Sequence, residues 1–137
     1  MFELKSKFSD AEITKLELDP AKSPADAVNA FYSYLKARDM AAGFKLLSGK
    51  YLEKTNFSEW TDRFTDILDV KMIKVEPAEG TNDTAFVKFS TKNWVQGETE
   101  IHYYEGTWQT VWEDGVYKMN KSNIKEVTTP DMTWFWE

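Results

Sequence analysis

The amino-acid sequence predicts an α+β domain in which N-terminal helices pack in the concave face of a curved four-stranded antiparallel sheet. Three observations point there. Apolar residues recur at helical spacing through the first half of the chain and alternate from about Val70 onward. Ser23-Pro24-Ala25-Asp26 is a strong helix start, with a capping hydroxyl, a proline suited to the first helical position and an acid at the positive end of the dipole. The stretch His102–Asn120, HYYEGTWQTVWEDGVYKMN, reads as a long hairpin closed by Asp114-Gly115, a pair that tolerates the positive φ angles of a two-residue type I′ turn.

In chain order, residues 1–22 show weak periodicity and are expected to form a lead-in segment or linker ahead of a domain spanning 23–127. The first helix should run over about 24–38, with Val28, Phe31, Tyr32 and Leu35 on one face and Arg38 near its negative end. Asp39 can cap a second short helix with Met40, Phe44 and Leu47 inward, ended by Gly49. Tyr51 and Leu52 continue the apolar surface. Ser58 is placed to cap a third helix holding Trp60, Phe64, Ile67 and Leu68.

The strands follow. Val70–Val75 is a first strand, interrupted by Pro77, and EGTND is a turn cluster. Thr84–Trp94 is a second, with Ala85, Val87 and Phe89 alternating with Phe86, Lys88 and Ser90. Gln96-Gly97 turns the chain into a third strand from about Glu98, and the fourth runs from Val116 to about Val127. The Asp114-Gly115 turn sets Trp112 opposite Tyr117, Thr110 opposite Met119 and Trp108 opposite Lys121, an apolar and aromatic face. If Trp112 is core, Trp112→Ala costs about 3–5 kcal/mol. The third strand has a parity conflict, because Ile101 and Tyr103 are odd while Trp108 and Trp112 are even. A β-bulge at Glu105-Gly106 would turn all four inward, and this is the arrangement favoured; without it His102 and Tyr104 point in with the tryptophans. Residues 128–137 form a tail whose Trp134, Phe135 and Trp136 are unusually apolar for a terminus.

Composition bounds the function. At 137 residues, with 42% hydrophobic and 29% charged residues, the chain is expected to fold as one domain around a single core. The net charge of −6 and the lack of a basic run argue against nucleic-acid binding, and acidic membrane surfaces would repel the chain. The chain has no cysteine, which excludes disulfides, thiolate catalysis and Cys-ligated zinc. No apolar run approaches the roughly 20 residues of a membrane span, and no secretory signal is visible. Aromatics make up 15% of the chain, including 6 Trp, enough to fill a core, a pocket or both.

Two stretches carry a family resemblance: SPADAVNAFYSYLKARD, a Ser-Pro plus aromatic helix, and Gly106 to Met119, which follows the pattern GTWxxVxEDGxYKM. With the order of three helices and a four-stranded meander, residues 23–127 resemble the nuclear transport factor 2-like (cystatin-like cone) superfamily, and locally its small bacterial envelope or lipoprotein-type members. The resemblance implies a sheet curled around a helix with a conical pocket. Its members include isomerase-like and dehydratase-like enzymes, secretion-channel subunits and many non-catalytic modules. It also implies an extracytoplasmic location, with any signal or anchor absent from this chain.

A pocket enzyme of the ketosteroid isomerase kind would need a carboxylate base and hydroxyl donors inside the cone. The candidate donors are Tyr32 or Tyr34 and Tyr103, and the candidate bases are Asp62, Asp66 or Asp69. No spacing motif links them, and acidic side chains are mostly exposed. A dehydratase-like site would want an inward histidine, and His102 is the sole one. No metal site is expected, since one histidine and no cysteine leave only carboxylates without calcium-loop spacing. Trp60, Trp94, Tyr103, Trp108 and Trp112 can line an apolar pocket or simply fill the core. The expected function is a non-catalytic binding or protein-interaction module of the cell envelope. Its candidate ligand residues are Tyr32, Trp60, Tyr103, Trp108 and Trp112. Its candidate contact residues for a protein partner or a second copy are Trp134, Phe135 and Trp136, or else the sheet face. The alternatives are a small apolar ligand carrier or cofactor-free isomerase/dehydratase-like enzyme, and a secretion or conjugation channel scaffold. No cofactor is expected.

Overall fold

The computed structural model describes residues 19–131 and Trp134. The expectations for residues 1–18, Phe135 and Trp136 lie outside the described residues. Four helices, α1 (Pro24–Lys36), α2 (Met40–Lys45), α3 (Gly49–Leu52) and α4 (Phe57–Asp62), precede four strands, β1 (Ile67–Pro77), β2 (Thr84–Val95), β3 (Glu98–Glu113) and β4 (Val116–Glu126). The strands form one antiparallel sheet in the order β1-β2-β3-β4, and the helices pack against one face of it.

The caps work as local chemistry requires. Ser23 accepts from the Asp26 amide at 3.1 Å, and its hydroxyl donates back to the Asp26 carboxylate at 2.7 Å. Val28, Phe31, Tyr32 and Leu35 are buried along one side of α1. The helix stops at Lys36 rather than 38, because Arg38 turns to φ 64° and donates to the carbonyls of Phe64 and Ile67. Asp39 caps α2 as expected. Gly49 does not end that helix. The Leu46 carbonyl and Ser48 amide instead bond the backbone of Met119, covering the free edge of β4, and Ser48 then caps α3. Asn56, not Ser58, caps α4. Ile67 and Leu68 leave the helical layer for β1.

Both predicted two-residue turns are present, with positive φ at Gln96-Gly97 and Asp114-Gly115. The bulge expected at Glu105-Gly106 is not. β3 pairs with β2 without a register shift from Gln109 to Glu98, so parity runs unbroken and the even residues face the helices. Tyr104 therefore packs on the core, whereas Ile101 is half exposed and Tyr103 lies on the outer face, against Trp134. The bulge lies in β4 instead. Gln109 pairs with Lys121 and Thr110 with Met119, which leaves Asn120 as the extra residue and moves the partner of Trp108 from Lys121 to Ser122.

Gly106 serves close approach. A Cβ there would lie 2.1 Å from the Asn123 carbonyl oxygen of β4. Trp112 faces Tyr117 as predicted, with an edge-on contact at 5.0 Å, but it is 57% exposed and not core. It sits two residues from the turn, past the buried layer of Trp108, Thr110 and Met119.

Candidate functional site

A cavity of about 160 Å³ lies between the helical layer and the sheet. Phe31, Tyr32 and Leu35 reach it from one face of α1, Trp60 and Phe64 from α4 and the turn after it, and Phe89 and Trp108 from the inner faces of β2 and β3. Its aromatic walls are locked together. Phe31 sits 5.7 Å from Trp108, Tyr32 packs 4.6 Å from Phe89, and Trp60 touches both Phe31 and Phe64. Such ring pairs hold a wall in place beyond the area they bury.

One polar group stands out in this wall. The Trp108 indole N–H donates to the Tyr32 hydroxyl oxygen at 2.9 Å, deep in the core. Burial pushes the Tyr32 hydroxyl well above the ordinary tyrosine range, against the opposing pull of the Trp108 hydrogen bond. The phenol is therefore neutral at physiological pH and keeps its proton. No acceptor among the described residues takes that proton. A buried donor without an acceptor costs about 1–3 kcal/mol, so this O–H is a ready recognition point for a carbonyl or carboxylate oxygen.

Three predicted ligand residues, Tyr32, Trp60 and Trp108, meet in the cavity. Tyr103 and Trp112 do not, Tyr103 being on the outer face and Trp112 at the hairpin end. Trp94 is half exposed. Trp134 folds back onto the outer face, edge-on to Tyr103 at 5.5 Å and under the Lys88 ammonium at 4.6 Å, and is buried there. Tyr34 packs at the border of the core without lining the cavity. Asp62 and Asp66 are exposed. Asp69 bonds Lys36 at 2.8 Å, a contact that holds its carboxyl below the usual range. Sequence reasoning did not assign Phe31, Phe89, Tyr51 or Arg63 to the site. The first two were legible as core periodicity, but Tyr51 and Arg63 lie in short helical turns with no pattern that tells wall from surface.

His102 lies on the helix-bearing side of β3, opposite Thr91, and not turned away as the bulged register implied. Its Nδ1 is 2.7 Å from Glu126 and its Nε2 3.0 Å from Glu100. The Glu126 hydrogen bond, with help from Glu100, raises its pKa. An imidazolium that donates both N–H groups to carboxylates has no lone pair left for general base work. No carboxylate or histidine lines the cavity, and no cluster of three metal-ligating side chains occurs among the described residues.

A second, wider cleft of about 530 Å³ adjoins the first and shares Tyr51 and Arg63 with it. Polar and charged side chains, with Tyr51, make its walls, from α3 and the turn after it, from Arg63 and from β3 and β4 around the Asn120 bulge.

No family model matches the chain, and no curated protein matches it in sequence. Among solved structures it is similar in fold to a SEC-C motif containing protein from Rhodopseudomonas palustris, known from a solution structure. The TM-score is 0.53 at 9% identity, over 74% of this chain and 80% of that one. At that identity the likeness concerns the fold.

Proposed function

We propose that this chain is a non-catalytic module that binds a small, mainly apolar ligand bearing a hydrogen-bond acceptor. The observation that carries this reading is the Tyr32 O–H, buried in an aromatic wall with no acceptor among the described residues. The cavity volume suits a single ring, since an apolar cavity of about 150 Å³ accommodates benzene. The resemblance to nuclear transport factor 2-like domains supports the reading, because their cone holds its pocket at the same layer, and an envelope location is part of the same proposal.

The test uses the tryptophans themselves. Trp60 and Trp108 line the cavity, so acetophenone or phenylacetamide should alter the intrinsic fluorescence and raise the melting temperature. Ligand at 100 times its Kd adds about 2.7 kcal/mol of stability. Unchanged fluorescence and melting for both compounds at millimolar concentration would overturn the reading. A second reading, contact with a protein partner or another copy, is favoured by Trp94 and Ile101, half exposed on the outer face of neighbouring strands. Light scattering that finds a monomer at high concentration counts against self-association.

A further inference from the structure

We infer that the ligand is an amphipathic anion, with its ring in the aromatic cavity and its carboxylate among the cationic side chains of the adjoining cleft. This inference rests on the aromatic cavity of the binding reading above, and not on the Tyr32 hydroxyl as partner of the carboxylate, and it adds the charge of the ligand. In a chain of net charge −6, the walls of that cleft carry Lys50, Lys54, Arg63 and Lys121 and no acidic side chain among the described residues. None of the four cations makes an ion pair with an acid among the described residues, while Lys36, Lys74 and Lys118 each do. A cleft that gathers cations without an ion-pair partner among the described residues, against the sign of the whole protein, focuses anions.

The junction between the two spaces is suited to a ligand that spans them. Arg63 and Tyr51 belong to both walls, and the Arg63 guanidinium donates to the Tyr51 hydroxyl at 3.4 Å. The Tyr51 ring also packs 6.1 Å from Trp108. One face of Tyr51 thus meets the aromatic cavity while its hydroxyl meets the cationic cleft. Guanidinium pairs with carboxylate oxygens in a bidentate fork, and the lysines add charge without fixed geometry. On the sheet side the Asn120 side-chain NH2 donates to the Gln109 side-chain oxygen at 3.2 Å, so the bulge presents neutral polar groups to the cleft.

The experiment is calorimetry on the intact chain at pH 7 with benzoate, phenylacetate, 3-phenylpropionate and 4-phenylbutyrate, each beside its own primary amide. At least one acid should bind roughly tenfold more tightly than its amide at low salt. The preference should fade at about 0.5 M salt, where screening lengths fall well below 8 Å. The triple variant Lys50→Gln, Lys54→Gln, Lys121→Gln should lower the acid-to-amide ratio severalfold, leaving the part due to Arg63. All three positions are exposed, so melting curves should show the variant folded. Equal binding of acid and amide by the wild type overturns the anionic ligand and leaves the binding reading standing. An acid-to-amide ratio unchanged by the triple substitution overturns the cleft as its source. Absence of binding by every acid and every amide overturns both.

Discussion

Gly106→Ala separates two reasons for a glycine in the long strand. Were Gly106 a bulge residue in the left-handed region, alanine would cost only backbone strain. The φ of Gly106 is not positive, and Gly80, Gly97 and Gly115 are the described glycines that adopt positive values. On conformational grounds alone, alanine should then gain about 0.4–1 kcal/mol by restricting the unfolded chain. Packing reverses the sign. An added Cβ would stand 2.1 Å from the Asn123 carbonyl oxygen, 0.9 Å inside the 3.0 Å that real Cβ atoms keep, and 2.6 Å from the Ile124 Cα. Both obstacles are backbone in the paired strand, so no rotamer change relieves them, and the Gly106–Ile124 pair must open. Overpacking costs about 1–3 kcal/mol where side chains can yield, so a backbone clash should bring the net loss to about 3 kcal/mol. In a domain of this size that lowers the melting temperature by about 10 °C. Urea unfolding gives the free energy directly. Gly115→Ala is the control: it has φ 82° and nothing within 4 Å of its Cβ, and should lose only about 1–2 kcal/mol through strain. A Gly106→Ala protein as stable as the wild type would refute the close-approach argument.

The other predictions concern the site and its surroundings. Tyr32→Phe leaves the buried Trp108 indole N–H without its acceptor while removing an unpartnered O–H, so a net loss of about 1 kcal/mol is expected in urea unfolding, together with weaker binding of any acceptor-bearing ligand. Trp112→Ala should cost about 1 kcal/mol, the worth of its edge-on contact with Tyr117, whereas Trp60→Ala, in the fully buried layer, should cost about 3–5 kcal/mol; similar losses for the two would contradict the facing described above. His102 provides a pH-dependent contribution. Its folded pKa is raised, first by the Glu126 hydrogen bond, so the stabilisation is complete below the unfolded value of about 6.5 and is lost as pH rises through the raised folded value. Glu126→Gln should bring the imidazole titration down. Ring-proton NMR reads this cleanly because the chain has one histidine, and an unmoved midpoint would count against the pairing.

What the sequence determined by itself was local. Ser23 and Asp39 start helices through hydrogen bonds that reach no further than three residues, Pro24 fits the first helical position through its fixed φ, and Asp114-Gly115 and Gln96-Gly97 close hairpins through their own φ angles. Those energies depend on neighbours in the chain, so the α+β class, the strand order and most boundaries were legible. Facing was not. The parity of β3 looked broken from the residue types, yet the ladder to β2 runs without a shift, because pairing is decided by the partner strand and not by the hydrophobicity of Ile101 and Tyr103. The shift fell in β4 at Asn120, whose side chain is held by the Ser48 hydroxyl, 72 residues away in sequence. The site shows the same division. Tyr32, Trp60 and Trp108 were recognisable as aromatic wall residues, but the Tyr32–Trp108 hydrogen bond joins groups 76 residues apart. Tertiary structure alone decided which aromatics met around a cavity and which cations gathered at its mouth, because both depend on distances between elements that no sequence spacing encodes.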